Sequence, residues 1–205
     1  MNGEQDSTPG TKRPAWWAER IPLSGVLEFL KDKTVPWHNA SIFYLFGGAA
    51  LLLFCVQVMT GIMLMFYYIP TPDTAHETVL FISSKVPFGW LIRSIHSWSA
   101  NLMVLVVFIH MFSVYFMRGY TRPRELIWVT GALLLVLSMT FGFSGYLLPW
   151  TKLSYFATKI GTDLSKLVPF IGDELKRFLL GADAIGAPTL TRFYALHVAI
   201  LPPIF

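Results

Sequence analysis

Two histidines, His96 and His110, lie fourteen residues apart within residues 94–117, a stretch that contains no Asp, Glu, Lys or Arg. A stretch of this length and composition is typical of a membrane-spanning helix, in which an ionisable side chain marks a functional site by default. Along an α-helix the two residues would be separated by about 21 Å and by roughly 40° around the axis. Two imidazoles on one face at two depths could each supply an axial nitrogen to a haem iron. The spacing therefore predicts two stacked haems.

The composition predicts an all-α integral membrane protein. Of the 205 residues 54% are hydrophobic and only 14% are charged, whereas soluble domains carry about 25% charged residues. Residues 41–72 and 126–150 also lack acidic and basic side chains, and each stretch exceeds the roughly 20 residues that cross a bilayer. We therefore expect four spans, over residues 42–69, 88–117, 125–148 and 189–205. The net charge of +4 is interpreted as membrane topology and not as nucleic-acid binding.

The remaining segments are polar or amphipathic. Residues 1–14 are predicted to form a disordered polar tail, without a cleavable signal peptide. Residues 16–35 mix tryptophans with charged side chains, which indicates either an amphipathic helix at the membrane interface or a helix packed on another subunit. Two short amphipathic helices are expected between the third and fourth spans. Cys55 is interpreted as a small core residue.

The distribution of basic residues predicts the orientation of the spans. The N-terminal segment and residues 118–124 are rich in Lys and Arg, so they are expected on the cytoplasmic side. The second span then runs inward, with His96 near the outer surface and His110 near the inner one. His197 lies about nine residues into the fourth span and so at the depth of His96. We expect His96 and His197 to bind one outer haem, and a ligand opposite His110 to lie about fourteen residues beyond His197.

Pairs of glycines repeat the histidine spacing. Gly47 and Gly61 are fourteen residues apart in the first span, and so are Gly131 and Gly145 in the third. Glycine has no side chain, so a flat group can approach the helix backbone closely. The matching period favours glycines that make room for two haem faces over ordinary helix packing through small residues. Arg93 lies three residues before His96, where it could bind a haem propionate or extend its charge to the membrane surface.

Several strings of residues point to a known family. The chain resembles cytochrome b, and in particular its short split form, cytochrome b6, over about residues 36–205. The resemblance rests on Val-Gln-Val-Met-Thr-Gly at 56–61, Phe-Gly-Trp-Leu-Ile-Arg-Ser-Ile-His at 88–96, Phe-Ile-His at 108–110, Pro-Arg-Glu-Leu-Ile-Trp-Val-Thr-Gly at 123–131, Gly-Tyr-Leu-Leu-Pro-Trp at 145–150 and Leu-Thr-Arg-Phe-Tyr-Ala-Leu-His at 190–197.

The resemblance implies a four-helix bundle over residues 15–205 that holds two b-type haems as part of a quinol:cytochrome c, or plastocyanin-like acceptor, oxidoreductase. It implies a low-potential outer haem on His96 and His197, and a high-potential inner haem on His110. Quinol would be oxidised near Phe143 and Tyr146, with electrons crossing to an inner quinone-reducing site and protons translocated. The implied partners are a subunit-IV-like half, a Rieske iron–sulfur protein, a c-type cytochrome, membrane lipid and a second copy of the complex. We expect a bacterial plasma membrane rather than a thylakoid.

Three departures from the family pattern qualify these expectations. Leu45 replaces the cysteine of the split form, so no covalently attached extra haem is expected. Ser113 replaces a frequent arginine, which leaves Arg118 or Arg124 to bind the inner propionates. The family's second histidine of the fourth span would lie beyond Phe205, so we expect either a truncated sequence, a partner segment that completes the span, or an incomplete inner haem site. Two other functions stay open: a dihaem anchor for a different dehydrogenase or reductase, and a haem-free transporter or scaffold whose histidines relay protons.

Overall fold

The computed structural model describes residue 28, residues 31–32 and residues 41–205, and the ordered elements within these ranges are all helical. The predicted polar tail lies outside the described residues, and so does most of the predicted interfacial helix. The elements are a 3-10 turn at Ser41–Tyr44, α1 at Leu45–Met65, α2 at Ala75–Ser84, α3 at Gly89–Phe116, α4 at Glu125–Leu147, α5 at Lys152–Leu164, a 3-10 turn at Ser165–Leu167, α6 at Gly172–Leu180, α7 at Ala187–Ala195, a π-helical turn at Leu196–Ile200 and α8 at Leu201–Ile204.

Within the described residues, three helical segments are long and apolar enough to cross a membrane: Ile42–Met65, Gly89–Phe116 and Glu125–Leu147. The second and third agree with the predicted spans to within one residue. The first ends four residues early because the chain turns back at Tyr67 and Tyr68, whose N–H groups both donate to the Leu64 carbonyl oxygen. The approach to Pro70 also disfavours helix, since the residue before a proline avoids the α conformation.

Helix α2 was not anticipated, because the sequence was interpreted as a simple loop between the first two spans. Its start follows Pro72-Asp73-Thr74, a pattern typical of a helix N-terminus. His76 on this helix lies with its Nδ1 atom 3.2 Å from the Pro149 carbonyl oxygen. From the end of α1, the Tyr68 hydroxyl donates to the Leu148 carbonyl oxygen at 2.6 Å. Two side chains therefore hold the turn that follows α4.

The segment predicted as a fourth span is helical from Ala187 to Ile204, with a π-helical turn in the middle. In that turn the Leu201 N–H donates to the Leu196 carbonyl oxygen, five residues back. Pro202 and Pro203 have no N–H to donate to the carbonyls four residues earlier, and a proline ring also clashes with that carbonyl. The wider turn accommodates both prolines, and it contains His197.

The spanning helices pack around two buried clusters. Met103, Val107 and Leu135 form one of them between α3 and α4, with side chains of α1 packed against it. The other cluster consists of Ala75, Leu147, Leu190 and Phe193, and it joins α2, α4 and α7. His96 and His197 lie on helices that contribute to these clusters, so packing of the apolar side chains sets their separation.

An ion pair connects the two short helices that follow α4. The Lys176 ammonium of α6 donates to the Asp163 carboxylate of α5. This hydrogen bond lowers the pKa of Asp163, and the charges of Lys176, Lys166 and Lys159 act in the same direction. The pair is therefore complete near neutral pH and is lost as the pH falls through the lowered pKa.

A capping box begins α5. The Ser154 N–H donates to Thr151 Oγ1 at 3.2 Å, and the Thr151 N–H donates to Ser154 Oγ at 2.9 Å. Replacing Thr151 with alanine should lower stability by about 1 kcal/mol, because a helix N-terminal N–H loses its partner. Thermal unfolding of the purified protein measures this effect. A matched control is Thr140→Ala, since that exposed hydroxyl bonds only to Val136 of its own helix; equal melting temperatures for the two variants would contradict the prediction.

Candidate functional site

The structure brings His96 of α3 and His197 of the π-helical turn close together. Their ring centroids are 6.4 Å apart and the ring planes are inclined by 76°. Two metal–nitrogen bonds of about 2.0–2.1 Å, added to the radii of the two rings, give a centroid separation of about 6 Å. The observed spacing therefore fits two imidazoles that bind one iron from opposite sides.

The surroundings of His96 determine which ring nitrogen is free to bind a metal. The Thr60 hydroxyl donates to the Val56 carbonyl oxygen at 2.6 Å, and Thr60 Oγ1 lies 2.8 Å from His96 Nδ1. Because the hydroxyl proton is already used, the oxygen accepts from Nδ1–H. This contact favours the tautomer whose Nε2 lone pair is available to a metal.

His197 is held in the same way from α4. The Ser144 hydroxyl donates to the Phe141 carbonyl oxygen at 3.1 Å, and Ser144 Oγ lies 3.1 Å from His197 Nδ1. Ser144 is fully buried, so water does not compete for this contact. The Phe141 ring meets the imidazole edge-on at 5.6 Å. In each histidine Nε2 is therefore the ring nitrogen left free to bind a metal.

A further contact fixes α1 against α3 at this level. The Gln57 side-chain amide donates to the His96 carbonyl oxygen at 2.7 Å and to Ser99 Oγ at 2.5 Å. One glutamine therefore ties the backbone of a ligand residue to the helix that carries Thr60.

Three of the four paired glycines lie directly against a histidine ring. A Cβ atom added to Gly145 would lie 2.6 Å from Cε1 of His197. The corresponding distances are 3.0 Å from Gly47 to His110 and 3.3 Å from Gly61 to His96. Among the described residues nothing lies within 4 Å of the corresponding position on Gly131. Glycine at the first three positions lets an imidazole of another helix approach the backbone. Clearance of a haem face by all four stays a prediction.

His110 differs from the two outer histidines. Its Nδ1 atom is buried and has no hydrogen-bond partner within the described part of the chain. Ser113, where the family often has arginine, is buried and donates to the His110 carbonyl oxygen at 2.7 Å. Arg118, in a left-handed conformation, and Arg124, at the N-cap of α4, are both exposed at the same end of the helices. The role of His110 as an inner haem ligand stays a prediction, and so does a cation for the propionates of that haem.

The other candidate residues are spread around the outer end. Arg93 is exposed and makes a long contact of 3.4 Å to Ser83 Oγ on α2. Phe143 packs into the core against Gly161 and Phe193, whereas Tyr146 is exposed. Their proximity to a quinol site stays a prediction.

Two further positions lie in the first span. Leu45 is the exposed first residue of α1. The prediction that Cys55 lies in the core is wrong, because this free cysteine is exposed on the outside of α1. Helical periodicity shows which residues share a face, but the face that packs inward is decided by the neighbouring helices.

Thr60, Gln57 and Ser144 were not singled out from the sequence. A signal was nevertheless present, because a hydroxyl residue immediately precedes three of the four paired glycines, as Thr60-Gly61, Thr130-Gly131 and Ser144-Gly145. A glycine leaves room for an imidazole ring, and a hydroxyl residue before it can hydrogen-bond to that ring. Together they predict a position against which a histidine packs.

Comparison with known proteins shows the family of the chain. The family model for cytochrome b/b6/petB matches residues 30–205. The chain belongs to the cytochrome b family. It is 46% identical over 187 residues to cytochrome b6 of Synechococcus elongatus, covering 91% of this chain and 86% of that protein. It is 50% identical over 188 residues to the cytochrome bc complex cytochrome b subunit of Chlorobaculum thiosulfatiphilum, covering 91% of this chain but only 44% of that protein.

A solved structure shares the fold of this cytochrome b chain. A chain of a hyperthermophilic respiratory Complex III superimposes with a TM-score of 0.78 and 31% identity, covering 92% of this chain and 51% of the other. The present chain thus spans about half of that structure and less than half of the Chlorobaculum relative. Family membership implies binding of b-type haem, for which the pair His96 and His197 has a fitting geometry.

Proposed function

We propose that this chain is the dihaem b subunit of a quinol:cytochrome c, or plastocyanin-like acceptor, oxidoreductase. The observation that carries the proposal is the pair His96 and His197, with ring centroids 6.4 Å apart and Nδ1 atoms each occupied by a hydroxyl. The two imidazoles of a haem-free transporter would have no need of a separation that fits two metal–nitrogen bonds. When bound, the haems supply one-electron redox chemistry.

The proposed architecture is a bundle of four transmembrane helices, with residues 187–204 in the fourth. The basic segments support a cytoplasmic side for the N-terminus and for the loop between α3 and α4, with His96 at the outer level and His110 at the inner one. His110 binds the inner haem from one side. Nothing among the described residues lies within 4 Å of a Cβ placed on Gly131, so a flat group could approach the backbone there.

Each remaining candidate residue has a proposed part. Arg93 binds a propionate of the outer haem, and Arg118 or Arg124 binds one of the inner haem, since guanidinium groups form charge-assisted pairs with carboxylates. Quinol is oxidised close to Phe143 and Tyr146. Leu45 cannot form a thioether, so no third, covalently attached haem is expected.

The proposed reaction needs other subunits. Electrons from quinol pass along two routes, one through this chain to an inner quinone-reducing site and one to a Rieske iron–sulfur protein and a c-type cytochrome. Proton release outside and uptake inside translocate charge. A subunit-IV-like half completes the quinol site, and the complex is a homodimer in a bacterial plasma membrane. The relatives named above as subunits of bc and b6-type complexes support these assignments.

A spectroscopic and kinetic experiment tests the proposal. The complex is purified from membranes through a tag on this chain. We expect a reduced-minus-oxidised spectrum of b-type haem, two redox steps in a titration, a co-purifying Rieske protein, and quinol-dependent reduction of a c-type cytochrome. The absence of any b-type absorption would refute haem binding. Two haems without a Rieske protein and without quinol oxidation would refute the assigned complex.

A further inference from the structure

We infer that hydrogen bonding to the histidine ligands tunes the haem potentials in this chain, with Thr60 and Ser144 lowering the outer one. The inference rests on the proposed function, because it requires that His96, His197 and His110 bind haem. It assigns to two side chains, Thr60 and Ser144, parts that act through the ligands as positioning residues.

The physical basis is the basicity of the imidazole. When Nδ1–H donates to an acceptor, electron density at Nε2 rises and the ligand becomes a better donor to the metal. A stronger donor stabilises the oxidised iron more than the reduced iron, so the potential falls. Hydrogen bonding around the ligands is one of the main means by which a protein tunes a haem.

At the outer level both ligands have such acceptors. Thr60 Oγ1 lies 2.8 Å from His96 Nδ1, and Ser144 Oγ lies 3.1 Å from His197 Nδ1. Each hydroxyl is oriented by its own bond to a carbonyl of its helix. Thr60 is 8% exposed and Ser144 is 0% exposed, so neither contact is weakened by solvent.

His110 has no such acceptor among the described residues. His110 Nδ1 is buried and unpartnered within the described residues, although its ring lies against Gly47 as the His96 ring lies against Gly61. The hydroxyl that serves His96 comes from the residue immediately before that glycine. The residue in the same register before Gly47 is Phe46, whose side chain has no acceptor. The same local framework therefore makes His96 a stronger donor than His110.

Redox titration of the purified complex tests the inference. In Thr60→Val the potential of the outer haem should rise by about 59 mV, which for one electron corresponds to a tenfold change in the reduction equilibrium, while the inner potential stays unchanged. Thr60→Ser should restore the original value. Ser144→Ala should raise the same potential. Thr140→Val is the matched control, because this exposed hydroxyl lies one turn before Ser144 on the same helix but bonds to the Val136 carbonyl.

The reverse change supplies an independent test. Phe46→Ser places a hydroxyl before Gly47 and should lower the inner potential, leaving the outer one unchanged. If the Thr60→Val complex does not retain haem, the potentials measured in Ser144→Ala and Phe46→Ser test the inference in its place.

Outer potentials that stay unchanged in Thr60→Val or Ser144→Ala at full haem content, or equal shifts of both haems, would overturn the inference. A wild-type complex without b-type absorption would instead refute the proposed function, before any variant is compared.

Discussion

His96→Ala and His197→Ala should each remove the same haem, while His110→Ala should leave that haem in place. The rings of His96 and His197 lie 6.4 Å apart, and His110 lies fourteen residues from His96 along α3, or about 21 Å. Loss of one axial imidazole from a two-ligand site leaves the iron with an open position and lowers affinity strongly. We expect the haem content per complex to fall by about half, with the lower-potential step missing from the redox titration.

A histidine outside the site provides the control. His76→Ala removes an imidazole that contacts only the Pro149 carbonyl in the turn after α4, so both haems should remain. If His96→Ala and His197→Ala lost different haems, the pairing of the second and fourth helices would be wrong. If His76→Ala lost the outer haem, the effect of the other variants would reflect general destabilisation.

Gly145→Ala should displace the outer haem almost as effectively as loss of a ligand. The added Cβ would lie 2.6 Å from His197 Cε1 and 3.2 Å from both ring nitrogens. The imidazole cannot simply swing away, because Ser144 holds its Nδ1 and the iron would hold its Nε2. Disturbing the orientation of a metal ligand typically lowers metal affinity 10–100-fold. We therefore expect the affinity for the outer haem to fall at least roughly tenfold. Haem retention under increasing detergent or competitor measures this change.

The same helix offers a matched control one turn away. Gly142→Ala makes the same chemical change, but nothing among the described residues lies within 4 Å of the new methyl group. It should retain both haems with unchanged potentials. A Gly145→Ala complex that keeps its outer haem at the original potential would show that the close approach to His197 is not required.

The spanning helices and the ligands could be recognised without coordinates, because both depend on local patterns. Uncharged stretches longer than a bilayer predict α1, α3 and α4, and the fourteen-residue period places His96 and His110 on one face. The end of α1 and the helix α2 were missed, since they depend on turns and on contacts of Tyr68 and His76 with the distant end of α4. The inward placement of Cys55 was wrong for a related reason, because hydrophobicity does not distinguish a lipid-facing side from a protein-facing one.

By itself the sequence determined the membrane class, the cytochrome b family, the two histidine depths and the glycine period that accompanies them. Only the tertiary structure decided that the ring centroids of His96 and His197 lie 6.4 Å apart, a separation that fits one iron. The tertiary structure also decided that Thr60 and Ser144 orient the Nδ1 atoms of these histidines, and that His110 Nδ1 has no acceptor among the described residues. Helical periodicity relates residues along one helix. Distances between helices instead follow from how their side chains pack, here around buried clusters and a π-helical turn that no spacing rule anticipates.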